Sequence, residues 1–226
     1  MRRNFLLVII VLLVPFGSSL AQKRAFTIED LYRIKSISDV HISPDGKSVV
    51  YAVATSDLPR ARRVTHIWAM DIDGRNPRQL TNGEKGETSP AFSPDGRWIS
   101  YLNAADGNLY AIQIAGGEQK KLINISTGVS DPLWSSDGKW IAFSSDVYPE
   151  CNGDDACNKR IDETWSNGPL KAHMADNLLF RHWTQWKDGK RTHIFLASTA
   201  TGETRDLTPG DFDAPPFQVG GPRQYD

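Results

Sequence analysis

The chain has 226 residues, of which 26 are basic and 27 acidic, so it carries almost no net charge. Without a basic surplus it has no electrostatic footprint for nucleic acid or anionic lipid, which excludes both as principal partners. One residue in ten is aromatic, enough for a packed core in one or two domains.

At the N-terminus, Arg2 and Arg3 precede an unbroken apolar run from Phe5 to Pro15, then the small, polar stretch Gly17-Ser18-Ser19-Leu20-Ala21. This is the layout of a secretory signal peptide over residues 1–21. Small side chains at Ser19 and Ala21 put the expected cleavage between Ala21 and Gln22, and the expected location is periplasmic or secreted. An uncleaved anchor is the competing reading, although the run is shorter than the roughly 20 residues needed to cross a bilayer. Cleavage removes two arginines and no acid, leaving a weakly acidic chain with no further segment able to span a membrane.

Residues 22–38 form a lead-in. Thr27-Ile28-Glu29-Asp30 sets a hydroxyl and a carboxylate where a helix start wants them, ahead of Leu31, Tyr32 and Ile34. A short helix over about 28–35 is predicted, covering part of a rim or edge.

From residue 39 a turn recurs as Ser43-Pro44-Asp45-Gly46, Ser93-Pro94-Asp95-Gly96 and, altered, Ser135-Ser136-Asp137-Gly138. The aspartates are 50 and then 42 residues apart, the length of one propeller blade. Proline presets φ at the second turn position, aspartate suits the third, and Gly46, Gly96 and Gly138 supply the left-handed fourth. Apolar residues flank each turn at the same offsets: Ile42, Phe92 and Trp134 before it, then Val49 and Tyr51, Ile99 and Tyr101, Ile141 and Phe143 after it. Burial with period two is expected.

A second motif follows each turn: Ile67-Trp68-Ala69-Met70, Leu109-Tyr110-Ala111-Ile112 and Ile194-Phe195-Leu196-Ala197, each with a leucine thirteen residues after its first member (Leu80, Leu122, Leu207). Asp73-Gly74, Gly116-Gly117 and Thr201-Gly202 lie between, predicting a second hairpin. Two hairpins per repeat make a four-stranded blade. The fold class is all-β, an incomplete propeller of about three four-stranded blades (WD40-like, TolB-like) at about 39–82, 88–124 and 130–208. A sandwich with chance turns would not need the same residues at the same offsets.

The third repeat carries an insertion, about 146–191, and long insertions are usually functional or disordered. Cys151 and Cys157 flank a polar loop there; in an exported chain they read as a local disulfide, a metal site being the weaker alternative. A charged run, Lys159 to Glu163, and the aromatics Trp165, Phe180, Trp183 and Trp186 suggest an ordered module packed on one propeller face. Asp162, Glu163, Arg181, His182 and Trp183 are the candidate substrate-binding residues, with a carboxylate positioned for a cation such as a peptide amino terminus. The competing reading is a solvated charged face over core aromatics; His173 and His182, with Arg181, could suggest a ligand site, but lone histidines read first as structural. No catalytic residue, metal or cofactor is expected.

Phe26-Thr27-Ile28-Glu29-Asp30-Leu31, the Ser-Pro-Asp-Gly turns, Phe180-Arg181-His182-Trp183-Thr184-Gln185-Trp186-Lys187-Asp188-Gly189 and Asp206-Leu207-Thr208-Pro209-Gly210-Asp211 together resemble the propeller of the prolyl oligopeptidase family of serine peptidases. The likeness is to its bacterial exported dipeptidyl-peptidase and acylaminoacyl-peptidase-like members and covers nearly all the mature chain. The turn also occurs in TolB-like periplasmic propellers, which makes a non-enzymatic protein-interaction propeller the alternative; the segment around Arg181-His182-Trp183 is more specific to the peptidases. The resemblance implies a propeller capping a C-terminal α/β-hydrolase domain and gating oligopeptide substrates. The nucleophile motif of such a domain, Gly-x-Ser-x-Gly, is absent between Met1 and Asp226, so the chain alone is expected to be inactive. Leu80 and Leu122 each precede the next turn aspartate by 15 residues, so Leu207 predicts another turn near 222 or beyond, with 209–226 as the linker to a fourth blade.

Overall fold

The computed structural model describes residues 24–169, 172, 173, 175 and 181–216. The signal-peptide segment, Phe180 and the last residues of the expected linker lie outside them.

Helix α1 (Ile28–Arg33) starts where Thr27 donates its backbone N–H to the Asp30 carboxylate at 2.9 Å. Three antiparallel four-stranded sheets follow. The first is β1 (Ser36–Ile42), β2 (Ser48–Asp57), β3 (Arg62–Asp71) and β4 (Arg78–Gln79), in that spatial order. The second is β5 (Glu87–Phe92), β6 (Trp98–Asn103), β7 (Asn108–Gln113) and β8 (Lys120–Lys121). The third is β9 (Ser130–Trp134), β10 (Trp140–Val147), β13 (Arg191–Ser198) and β14 (Thr204–Asp206); between β10 and β13 the chain forms helix α2 (Asp155–Asn167) and a small hairpin of β11 (Arg181–His182) and β12 (Gln185–Trp186).

The recurring turn joins the first two strands of every sheet, with its glycine at φ 70° in all three. A fixed side-chain network explains the other residues. Ser43, Ser93 and Ser135 each donate a hydroxyl to the aspartate two residues on, at 2.6 to 2.7 Å, and accept the N–H five residues on at 2.9 to 3.0 Å. Successive turns touch. A Cβ on Gly96 would lie 3.5 Å from Pro44 Cδ, and one on Gly138 3.8 Å from Pro94 Cδ. The turns therefore stack from blade to blade.

Register repeats as faithfully. Tyr51 faces Trp68, Tyr101 faces Tyr110 and Phe143 faces Phe195, each pair six residues after a turn aspartate and second in the following motif. Opposite each of Tyr51, Tyr101 and Phe143 the first strand of the sheet carries a bulge, whose first residue is left-handed: Asp39, Ser89 and Asp131, at φ 50°, 53° and 49°. Two residues there oppose one, which bends and twists the strand.

The strands do not show the expected period-two burial. β2, β6 and β10 have buried residues on both faces; the second sheet has a sheet packed on either side, whereas on the outer face of the first Val49, Tyr51 and Val53 pack with Trp68 and Met70. Between the first and second sheets lie Val50, Ala52 and Ile67 against Ile99, Tyr101 and Ile112. Between the second and third lie Leu109, Ala111 and Leu122 against Ile141, Phe143 and Phe195. Ile42 also departs from expectation: it is 61% exposed, along with the whole of β1, since no described sheet packs on that side of the first blade.

Tyr101 is fully buried, yet its hydroxyl has no hydrogen-bond partner among the described residues. Burial, with the Glu87 charge behind it, pushes the phenol up from its ordinary value. The third blade has Phe143 at this place. Removing an unpaired buried hydroxyl relieves its desolvation cost, so Tyr101→Phe should stabilise the chain by about 1 kcal/mol, read as a higher denaturant midpoint at unchanged slope. A destabilised variant would disprove the account.

Candidate functional site

The insertion is a folded module. A 3₁₀ turn, Pro149–Cys151, leads from β10 into α2, and the Cys151 and Cys157 sulfurs are bonded, tying the two together. Asp154 caps α2 by accepting the Ala156 N–H at 3.0 Å. Asn158, one turn in and buried, accepts the Tyr148 N–H at 2.8 Å and so pins the helix to the end of β10.

This places Asp162 and Trp165 of α2 beside Tyr148, Trp186 of β12 and Lys190, around a cleft of about 300 Å³. Tyr148 donates its hydroxyl to Asp162 at 3.0 Å, and burial, reinforced by the Asp162 charge, raises the phenol above its ordinary value. Lys190 pairs with Asp162 at 2.8 Å and lies over the Tyr148 ring, 5.1 Å from its centroid. On the other wall His173 donates to Asp188 at 2.6 Å and stacks on Trp186 at 4.2 Å, while the Arg181 guanidinium lies over the same indole at 5.1 Å. Trp186 is thus a fixed wall and the cleft's charges are compensated within it.

The candidate residues are not all brought together. Asp162 lines this cleft, and Arg181 is linked to it through the Trp186 ring. Glu163 faces a different groove, near Lys159 at 3.8 Å and beside Asp106 and Asp155. His182 is placed only through its pairing with Gln185. Trp183, expected to pack with the other aromatics, is 80% exposed, because it sits at φ 50° in the turn between β11 and β12 where its side chain is carried outward. Sequence reasoning missed Tyr148 and Lys190. Lys190 had a signal: Asp188-Gly189 is a hairpin dipeptide, both residues have positive φ, and Lys190 closes the turn to the Lys187 carbonyl at 2.9 Å.

A second missed constellation repeats in the blades. The residue before each motif is His66, Asn108 or His193. Asn108 accepts the Ile125 N–H at 2.9 Å, and His66 donates to the buried Glu87 at 2.9 Å. The His193 ring bridges Asp206, through Nδ1 at 2.7 Å, and the Gly210 carbonyl, through Nε2 at 2.9 Å. The threonine after the leucine, Thr81 or Thr208, accepts the first N–H of the motif at 2.9 Å. Each polar staple fastens the loop that leaves its blade. Among the described residues no group of histidine, cysteine and carboxylate side chains could hold a metal ion.

Four-stranded sheets stacked face to face, joined by matching turns and with one blade enlarged by a stapled module, define a β-propeller of the repeated-blade class. A family profile described as the TolB beta propeller domain (PD40) matches residues 35–152, and the chain belongs to that family. Dipeptidyl-peptidase 5 of Porphyromonas endodontalis is 28% identical over 201 residues, covering 86% of this chain and 28% of that protein. The chain thus spans little more than a quarter of that relative. Among solved structures, an acylaminoacyl peptidase from Pyrococcus horikoshii superposes with a TM-score of 0.61 at 14% identity, over 79% of this chain and 26% of that one. The AtxE2 isopeptidase gives 0.55 at 17%, over 79% and 31%. At these identities the structural likeness concerns the fold.

Proposed function

We infer that this chain is the propeller segment of an exported serine exopeptidase of the dipeptidyl- or acylaminoacyl-peptidase kind. In this reading it gates and orients oligopeptides for a C-terminal α/β-hydrolase domain that performs acyl-enzyme hydrolysis. One observation carries the reading. The propeller profile ends at residue 152, whereas the similarity to a dipeptidyl-peptidase spans 86% of the chain. The peptidase reading thus accounts for more of the chain than a bare interaction propeller does. The cleft suits an orienting role because its walls are rigid aromatics and preorganised polar groups. Asp162 is already neutralised by Lys190, which favours contact with peptide side chains over capture of an amino terminus. The N-terminal segment supports export with cleavage after Ala21.

The test begins with the reading frame beyond Asp226, which should encode further blades and then Gly-x-Ser-x-Gly. The protein made from that whole frame should hydrolyse dipeptidyl or acylaminoacyl chromogenic substrates and be labelled by a fluorophosphonate. Residues 22–226 alone should do neither. A frame that closes after its last blade, or stoichiometric labelling of the 226-residue chain, would sink the reading.

A further inference from the structure

The blades repeat closely enough for one junction between sheets to be compared with the next. At the first junction, Arg78 crosses from the first sheet and donates its guanidinium to the Ile114 carbonyl at 2.7 Å, and Ile114 packs against the core there. The matching residues at the second junction are Lys120, two before Leu122 as Arg78 is two before Leu80, and Thr199, five after Ile194 as Ile114 is five after Leu109. The backbone is the same at both: the Ile114 N–H donates to the Arg97 carbonyl at 3.1 Å and the Thr199 N–H to the Lys139 carbonyl at 3.0 Å.

The side chains do not close the second junction. Lysine lacks the planar fork with which Arg78 bridges the first. Thr199 is smaller than isoleucine and turns its hydroxyl to the Gly138 carbonyl at 2.9 Å. What remains is a groove of about 550 Å³, lined by Trp98 and Trp134 with Lys120 at its edge. Trp134 is fixed by donating its indole N–H to Ser100 at 2.8 Å.

The charges of this groove are unequal in their freedom. The Asp95 carboxylate accepts the Ser93 hydroxyl at 2.6 Å, the Arg97 N–H at 3.1 Å and the Arg97 guanidinium at 2.7 Å. The Ser93 bond first, then the Arg97 backbone and side chain, bring it down to about 2. Asp137 is held by Ser135 at 2.7 Å and by the Lys139 N–H at 3.0 Å, with the Lys139 ammonium at 3.6 Å. The Lys120 ammonium has no hydrogen-bond or ion-pair partner among the described residues. A groove with aromatic walls and one uncommitted cation complements an anion carried on an apolar body.

We propose that the groove between the second and third blades binds a peptide segment bearing a carboxylate next to an apolar side chain, the carboxylate on Lys120 and the apolar group between Trp98 and Trp134. The site is separate from the insertion cleft and does not rest on the peptidase reading. A free C-terminus or an acidic residue supplies the same chemistry.

The full chain is titrated with acetyl-Leu-Phe bearing a free carboxylate, with its C-terminal amide, and with acetyl-Leu-Glu-amide, following the Trp98 and Trp134 indole N–H resonances. The free acid should saturate both signals, and the Leu-Phe amide should bind at least about tenfold more weakly. Lys120→Ala should weaken the acid by a similar factor, as should Thr199→Ile, which fills the space that isoleucine fills at the first junction. Lys85→Ala, away from the groove, should leave binding unchanged. If acetyl-Leu-Glu-amide matches the acid, an acidic residue suffices; if it does not, the site reads a free C-terminus. Equal binding of acid and amide, no saturable shift, or an unchanged Lys120→Ala variant overturns the proposal.

Discussion

Replacing Glu87 by alanine is expected to cost about 3 kcal/mol of stability, the scale of a broken buried charge network. Glu87 is 1% exposed and its carboxylate accepts the Thr81 hydroxyl at 2.7 Å, the Gly83 N–H at 2.8 Å and the His66 ring at 2.9 Å. Thr81 in turn accepts the Ile67 N–H. Truncation therefore strands donors from β3 and from the loop that joins the first blade to the second. Glu87→Gln, which keeps one acceptor oxygen, should fall between wild type and alanine. Gly83→Ala should approach the alanine value by another route, because a Cβ there would collide with Glu87 Oε1. Chemical denaturation of the three variants checks the set. A Glu87→Ala protein within about 0.5 kcal/mol of wild type, as for an ordinary surface substitution, would show that the network contributes nothing.

Phe143→Ala should cost more, about 4 kcal/mol. The ring is fully buried between the second and third sheets and stacks on Phe195, with centroids 5.4 Å apart. Its loss removes apolar contact and leaves a cavity that two stacked sheets cannot readily close. Phe143→Leu should cost roughly half as much, since most of the volume remains. Equal denaturation midpoints for wild type and Phe143→Ala would mean that the sheet interface is not packed as described.

The blades were legible because their devices are local. A turn needing proline, aspartate and glycine at adjacent positions, and a motif at fixed offset from it, leave a periodic trace in the chain. The burial of Ile42 was misjudged for the opposite reason: it depends on what lies beyond the first sheet, which no local pattern reports. The staples at His66 and His193 escaped notice because each histidine meets its carboxylate partner thirteen or more positions along the chain, and a lone histidine reads as anything. Within the insertion, the apolar residues Cys157, Ile161 and Trp165 recur at steps of four behind the Asp154 cap, a helix signal masked by the charged run around them. The cleft itself was only half visible. Asp162 could be named, but its neutralisation by Lys190 comes from a hairpin return 28 residues later.

The bulge opposite Tyr51, Tyr101 and Phe143 also bears on solubility. β1, β5 and β9 are edge strands, whose free backbone groups could recruit a strand from another molecule. In the second and third blades the bulged residue is followed by Pro90 and Pro132, which have no N–H to offer, so a left-handed kink and a missing donor interrupt the edge together. The first blade has Val40 in that place and keeps its donor. Of these three edges, β1 should therefore be the one that accepts an intermolecular strand, and the two proline-guarded edges should not.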